Sequence, residues 1–155
     1  MVTDLFGSLL QELAHSLEID ELHPDRNNSC LFTLKSGQKL QLELDRSTQF
    51  LIIGADLGVV PPGKYRENLF REALKANDLT PPLHGILAFS QKSDSMILFE
   101  KISIRDLTGE KIAGEITPFA EKATLWSEAI KNGTIPPVNP VYTSTSRSGM
   151  FGLRP

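Results

Sequence analysis

Apolar and polar residues follow two periods along this chain, and the changes between them mark out its elements. Phe6, Leu9, Leu10, Leu13 and Leu17 recur at steps of three and four, with Ser8, Gln11, Glu12, His15 and Glu18 on the wetter side. That is the period of an amphipathic helix. Thr3 is placed to cap it, and Asp4 suits the positive end of its dipole. The polar stretch from Asp20 to Asn28, with Pro24, reads as a loop.

From Ser29 the period shortens to two. Cys30, Phe32 and Leu34 share one face of a strand, and Lys35-Ser36-Gly37-Gln38 is a tight-turn signal. Leu40, Leu42 and Leu44 then alternate with Lys39, Gln41 and Glu43, which predicts a second, half-buried strand. A third strand runs from Phe50 to Leu57 and is apolar on both faces, Phe50 and Ile52 on one, Leu51, Ile53 and Ala55 on the other. Pro61-Pro62 stops it, because proline cannot donate to the ladder.

A second helix is predicted over Lys64 to Ala76, carrying Tyr65, Leu69, Phe70, Ala73 and Leu74, and it ends near Asn77 and Pro81-Pro82. Two strands follow, Leu83–Phe89 and Met96–Ile102, around the turn Gln91-Lys92-Ser93-Asp94. The last apolar stripe is Ile112, Ile116, Phe119, Ala123, Trp126 and Ile130, interrupted by Pro118. Either this helix kinks there, or a short helix ends and Thr117 caps a new one with Pro118 at its first position. Asn132-Gly133 is its stop. The order αβββαββα lacks a strand–helix–strand rhythm and predicts an α+β fold with an antiparallel, twisted sheet flanked by helices.

After Gly133 the composition changes to prolines and a Thr-Ser-Thr-Ser-Arg-Ser run, so residues 1–133 are expected to form one domain and residues 134–155 a flexible tail. The 155 residues are 40% hydrophobic and 23% charged, ordinary for a globular domain of this size. The formal charge is −3, and since the tail holds Arg147 and Arg154 with no acid, the body carries −5. That balance speaks against a nucleic-acid partner. The N-terminal segment is a poor signal peptide, and no apolar run reaches the ~20 residues of a membrane span. The lone Cys30 cannot form an internal disulfide, so a reducing, cytoplasmic setting is the expectation.

Catalytic chemistry is hard to find. His15, His23 and His84 are scattered, without metal-type spacing to one another or to Cys30. Cys30 lies on a strand's apolar face, where a buried inert thiol outweighs a nucleophile. Gly54-Ala55-Asp56-Leu57-Gly58 opens no helix and so is a very weak nucleotide signal. The expectation is no enzyme, no cofactor and no metal.

Two features exceed what a self-contained monomer needs: the doubly apolar third strand and the wide stripe Leu5, Phe6, Leu9, Leu10, Leu13 and Leu17 on the first helix. Helices covering both sheet faces would account for them; so would a partner surface. Phe6, Leu10, Leu31, Thr33, Leu51 and Ile53 are the candidate partner-binding residues, with Leu31 and Thr33 opposite the Cys30 face. Phe70, Leu74, Ile86 and Ala88 are the candidates for a dimer interface, because the second helix and fourth strand carry more apolar positions than one helix-on-sheet contact requires.

Four stretches carry a family resemblance. They are the helix Leu5 to Leu17, then Asn27-Asn28-Ser29-Cys30-Leu31-Phe32, then Ala55-Asp56-Leu57-Gly58-Val59-Val60-Pro61 leading to Glu72-Ala73-Leu74-Lys75-Ala76-Asn77, and finally Phe119-Ala120-Glu121-Lys122-Ala123-Thr124-Leu125-Trp126. Over Thr3 to Gly133 the chain resembles the small acidic chaperones of type III secretion that bind secreted effectors, the CesT or Tir-chaperone family. The resemblance implies a homodimer joined through the second helix and fourth strand. It also implies an effector whose N-terminal segment wraps, largely unfolded, around the dimer without ATP, and an acidic body that could meet the secretion ATPase. A dimeric adaptor of the same fold that sequesters another protein is the alternative. A small hydrolase or ligand-binding protein has little support in the residues.

Overall fold

The computed structural model describes residues 2–136, with side chains from Leu5 onward. Its order is α1 (Val2–Leu17), β1 (Ser29–Thr33), β2 (Lys39–Leu44), β3 (Phe50–Val59), α2 (Lys64–Asn77), β4 (Ile86–Ser90), β5 (Ser95–Ser103) and α3 (Gly109–Asn132). The expected αβββαββα order holds. All four strand pairings are antiparallel, in the order β1-β2-β3-β5-β4.

One face of this sheet is covered. Cys30 and Phe32, Leu40, Leu42 and Leu44, Leu51, Ile53, Ala55 and Leu57, and Leu98 are buried, while the residues between them are exposed or half-buried. Those buried positions join Phe6, Leu10 and Leu13 of α1, Leu69 and Ala73 of α2, and Ile116, Phe119 and Trp126 of α3 in one core. All three helices therefore pack on the same side, and no described element covers the other face.

Three local details differ from the sequence reading. The helix α1 begins at Val2, so Thr3 lies inside its first turn and not at the cap. The strand β4 starts at Ile86 instead of Leu83, because His84 and Gly85 both take positive φ and cannot continue a ladder. Gly85 also has no room for a Cβ, which would stand 2.8 Å from Leu98. The third difference is α3, which runs unbroken through Pro118 and starts earlier than Ile112. Thr108 caps it by accepting a hydrogen bond from the Lys111 amide at 3.2 Å. Pro118 removes the bond to the carbonyl four residues back, but that residue is Gly114 on the exposed side, where water can satisfy it.

The α1–α3 crossing is set by Gly109. Its amide donates to Glu12 Oε1 at 2.9 Å, and a Cβ there would lie 2.3 Å from the Glu12 Cβ. Beyond Gly133, in left-handed conformation at φ 69°, the chain stays attached to the body. The Thr134 amide donates to Ala129 O at 2.8 Å, and its carbonyl accepts from the Tyr65 hydroxyl at 2.7 Å. Ile135 packs on the core and Pro136 is buried, so the first three residues of the expected tail belong to the folded unit. The rest of that tail, including Arg147 and Arg154, lies outside the described residues. Among the described residues no helix is long and apolar enough to cross a membrane.

Candidate binding surface

The uncovered face carries a line of residues in register across all five strands. Leu31 pairs with Gln41, Gln41 with Gly54, Gly54 with Phe99, and Phe99 with Ile86. Gly54 has no side chain, so it leaves a depression between Gln41 and Phe99. The resulting concavity is about 540 Å³ and is lined by Leu31, Ile52, Ile97 and Phe99 with Lys39, Glu43 and Asp56 around it. A Cβ at Gly54 would meet only Leu98 O, at 3.9 Å, so the depression is open space and not a close backbone approach. Lys101 Nζ stands 4.3 Å over the Phe50 ring on the same face, adding a polar margin to an apolar floor.

The two sheet edges differ. Ser29 sends its amide to Asp25 Oδ1 at 3.0 Å, and its carbonyl accepts from the Asp25 amide at 2.8 Å. The ladder side of β1 is therefore made by the alternate residues, and the amide and carbonyl of Leu31 and Thr33 point outward. Among the described residues no other element pairs with that edge. At β4 the outward groups of Leu87 are occupied: its amide donates to Asn77 Oδ1 at 3.0 Å and its carbonyl accepts from Asn77 Nδ2 at 2.9 Å.

Beside that closed edge lies an aromatic cluster. Phe70 of α2 meets Phe89 of β4 with ring centroids 5.0 Å apart, and the Arg66 guanidinium stands 4.6 Å over Phe89. Arg66 is itself held by the Val60 carbonyl at 2.9 Å and by Asp94 at 3.5 Å. Of the dimer candidates, Phe70 is half-buried in this cluster and Leu74 is 70% exposed on α2. Ile86 and Ala88 are half-buried on the open face, so the four surround the β4 edge from two sides.

The partner-binding candidates separate sharply. Leu31 is 70% exposed and Thr33 is exposed, both at the free β1 edge. Phe6, Leu10, Leu51 and Ile53 are buried in the core, at 1% exposure or less. They hold the helices to the sheet and have no surface to offer a partner, which corrects that part of the sequence reading. Alternation shows which residues share a face; it does not show which face the helices take. Gly54, Ile97 and Phe99, which line the concavity, were not among the partner-binding candidates; a glycine inside a strand was the available signal.

The covered face hides one group of charges. Lys122 of α3 donates to the carbonyls of Leu83 and Gly85 at 2.9 and 2.8 Å, tying α3 to the segment before β4. Burial lowers its pKa, with the Glu100 charge opposing that effect. Glu100 of β5 keeps Oε1 buried without a hydrogen-bond partner. Its pKa is pushed up to about 7, first by burial, then by the hydrogen bond and charge of Glu115, with Lys122 pulling the other way. Cys30 is buried, and burial raises its thiol pKa. Among the described residues no three His, Cys, Asp or Glu side chains are grouped to hold a metal ion.

The structure is an α+β protein with three helices on one sheet face and, among the described residues, nothing over the other face or paired with the β1 edge. Residues 8–127 match the Tir chaperone protein (CesT) family, and the chain belongs to that family. Its fold is shared with a chain of the HopA1–SchA chaperone–effector complex, at TM-score 0.66 and 21% identity, covering 81% of this chain and 94% of that one. A chain of the Yersinia pestis type III secretion chaperone SycH complexed with a YscM2 fragment matches at TM-score 0.58 and 21% identity, covering 77% and 97%. A chain of the Pseudomonas aeruginosa ExoU–SpcU complex matches at 0.61 and 14% identity, covering 85% and 99%. No match to this chain is found among curated proteins.

Proposed function

We propose that this protein is a type III secretion chaperone that holds a segment of a secreted effector in extended form, by binding alone and without ATP. The observation that carries the reading is the bare β1 edge beside the open row Leu31–Gln41–Gly54–Phe99–Ile86. An extended segment gains main-chain hydrogen bonds from the outward amide and carbonyl groups of Leu31 and Thr33, and the chain continuing from it can cross the open face and lay apolar side chains on the floor around Gly54. Such a segment loses conformational entropy on binding, so a long surface is needed to hold it. The neighbouring HopA1–SchA chaperone–effector complex supports the same reading.

The β4 side suits a second copy of the chain. Phe70, Leu74, Ile86 and Ala88 surround an edge whose backbone is already satisfied at Leu87, so a contact there would rest on side-chain packing. Stable dimers commonly bury upwards of ~2,000 Å². Light scattering of the purified chain should give twice the monomer mass, and a client-binding monomer would defeat the dimer.

The function is tested by coexpressing the chain with candidate secreted proteins from its own genome and identifying what copurifies. A secreted protein held by wild type and released by both Leu31→Glu and Gly54→Leu supports the proposal. Retention by both folded variants would defeat it.

A further inference from the structure

Glu100 faces α3 from the middle of β5, in surroundings that suit a carboxylate poorly. Its Oε1 atom is buried with no hydrogen-bond partner. Two groups of α3 act on it, the carboxyl of Glu115 and the ammonium of Lys122. On β3 its partner is the apolar Ile53. On the other side of β5, Ile86 pairs with Phe99, so His84 is the titratable group in the segment that continues past Glu100. Glu100 and Glu115 also line a cleft of about 620 Å³, whose other charged groups are Lys101, Arg105 and Lys111.

Lys122 is committed elsewhere. It donates to the carbonyls of Leu83 and Gly85 at 2.9 and 2.8 Å, and among the described residues it forms no ion pair. Those carbonyls flank His84, and His84 and Gly85 both take positive φ. At a histidine that conformation is strained and persists only where the surroundings hold it. An ammonium has three hydrogens to give, so one remains for Glu100.

We propose that Glu100 is a proton-operated switch that exchanges Glu115 for Lys122 as its partner, and through Lys122 sets how firmly the start of β4 is held to α3. Protonated, Glu100 donates to the Glu115 carboxylate, and the ammonium is left to its two carbonyls. Ionised, the two carboxylates repel, Glu115 turns into the cleft toward Lys111 and Arg105, and Glu100 accepts the third hydrogen of Lys122. An ammonium drawn toward Glu100 loosens its bonds to Leu83 and Gly85, which frees the strained start of β4. Burial and the Glu115 charge raise the Glu100 pKa to about 7, so the exchange falls near neutral pH, with the two carboxyl groups titrating as one system. This inference does not depend on the client reading.

The test is an NMR titration of the full chain across neutral pH. It follows the Glu100 carboxyl carbon, Lys122 Nζ and the amide of Ile86, which shares a peptide unit with the Gly85 carbonyl. The expected result is one step at all three, with a midpoint of about 7. Glu115→Gln should lower the midpoint at Glu100 and Ile86 together, because the repelling carboxylate is gone. Glu100→Gln should leave Lys122 and Ile86 without a step. In His84→Asn, which keeps a residue tolerant of positive φ, the Ile86 step should remain. A Glu100 step with Ile86 unmoved would overturn the proposal, as would a Glu100 that stays ionised throughout. So would an Ile86 step that vanishes in His84→Asn, since the histidine would then be its source, or one whose midpoint stays fixed in Glu115→Gln.

Discussion

The sheet finishes its two edges in opposite ways. At β4, the carboxamide of Asn77 takes both outward main-chain groups of Leu87, and Phe70 and Arg66 pack over Phe89 beside it. At β1, the loop closes only Ser29, through Asp25, and leaves Leu31 and Thr33 outward. An exposed edge strand is an invitation to pair with another chain, and folded proteins ordinarily suppress it. Here the β4 edge is closed from within at Leu87, while the β1 edge keeps the outward groups of two residues, together with a leucine that stays 70% exposed.

The largest expected effect separates the buried face of the sheet from its edge. Ile53→Glu places a charge at a fully buried position and should unfold the chain, a loss of more than ~4 kcal/mol in denaturant melts. Leu31→Glu should leave stability within about 0.5 kcal/mol, because the side chain stays in water. Equal losses would erase the distinction between the two faces.

Next comes the closed edge. Asn77→Ala strips both partners from Leu87 and should cost about 1–3 kcal/mol, with new concentration-dependent association as β4 becomes a second open edge. Unchanged association would show that the α2 aromatics, and not Asn77, seal that side.

A smaller effect concerns Glu100. Its folded pKa lies above the ordinary carboxylate value, so the folded state holds a proton that the unfolded state releases between about pH 4.5 and 7. Stability should therefore fall as pH rises through that window, and Glu100→Gln should flatten the fall. With solvent screening the difference is on the order of 1 kcal/mol, or ~2–4 °C in the thermal midpoint at pH 8. An identical pH profile for the variant would place the titration elsewhere. The smallest effect on folding is Gly54→Leu, since only Leu98 O lies near the new Cβ, at 3.9 Å. It should fill the concavity and abolish client capture at unchanged stability.

Much of this architecture was legible in the sequence, because α1, β2 and α2 each carry a clean period, and Pro61-Pro62 and Gly133 punctuate them. The same alternation placed Leu31 and Thr33 opposite the Cys30 face. It failed for Phe6, Leu10, Leu51 and Ile53, since an apolar stripe looks the same whether it meets the chain's own helices or a partner. The clamp of Asn77 on Leu87 was not legible, because it depends on where α2 ends relative to β4. Nor was the row through Gly54, which exists only once four strand registers are fixed. Pro118 suggested a break, but an exposed Gly114 carbonyl makes the missing bond tolerable.

The central claim is that β1 is the edge a client pairs with. Amide hydrogen exchange of the chain, alone and with a copurified secreted protein bound, tests it most directly. Protection of Leu31 and Thr33 on binding, with Leu87 equally protected in both states, is the predicted result. Exchange at Leu31 and Thr33 that stays fast in the complex, or new protection confined to the β4 edge, would contradict it.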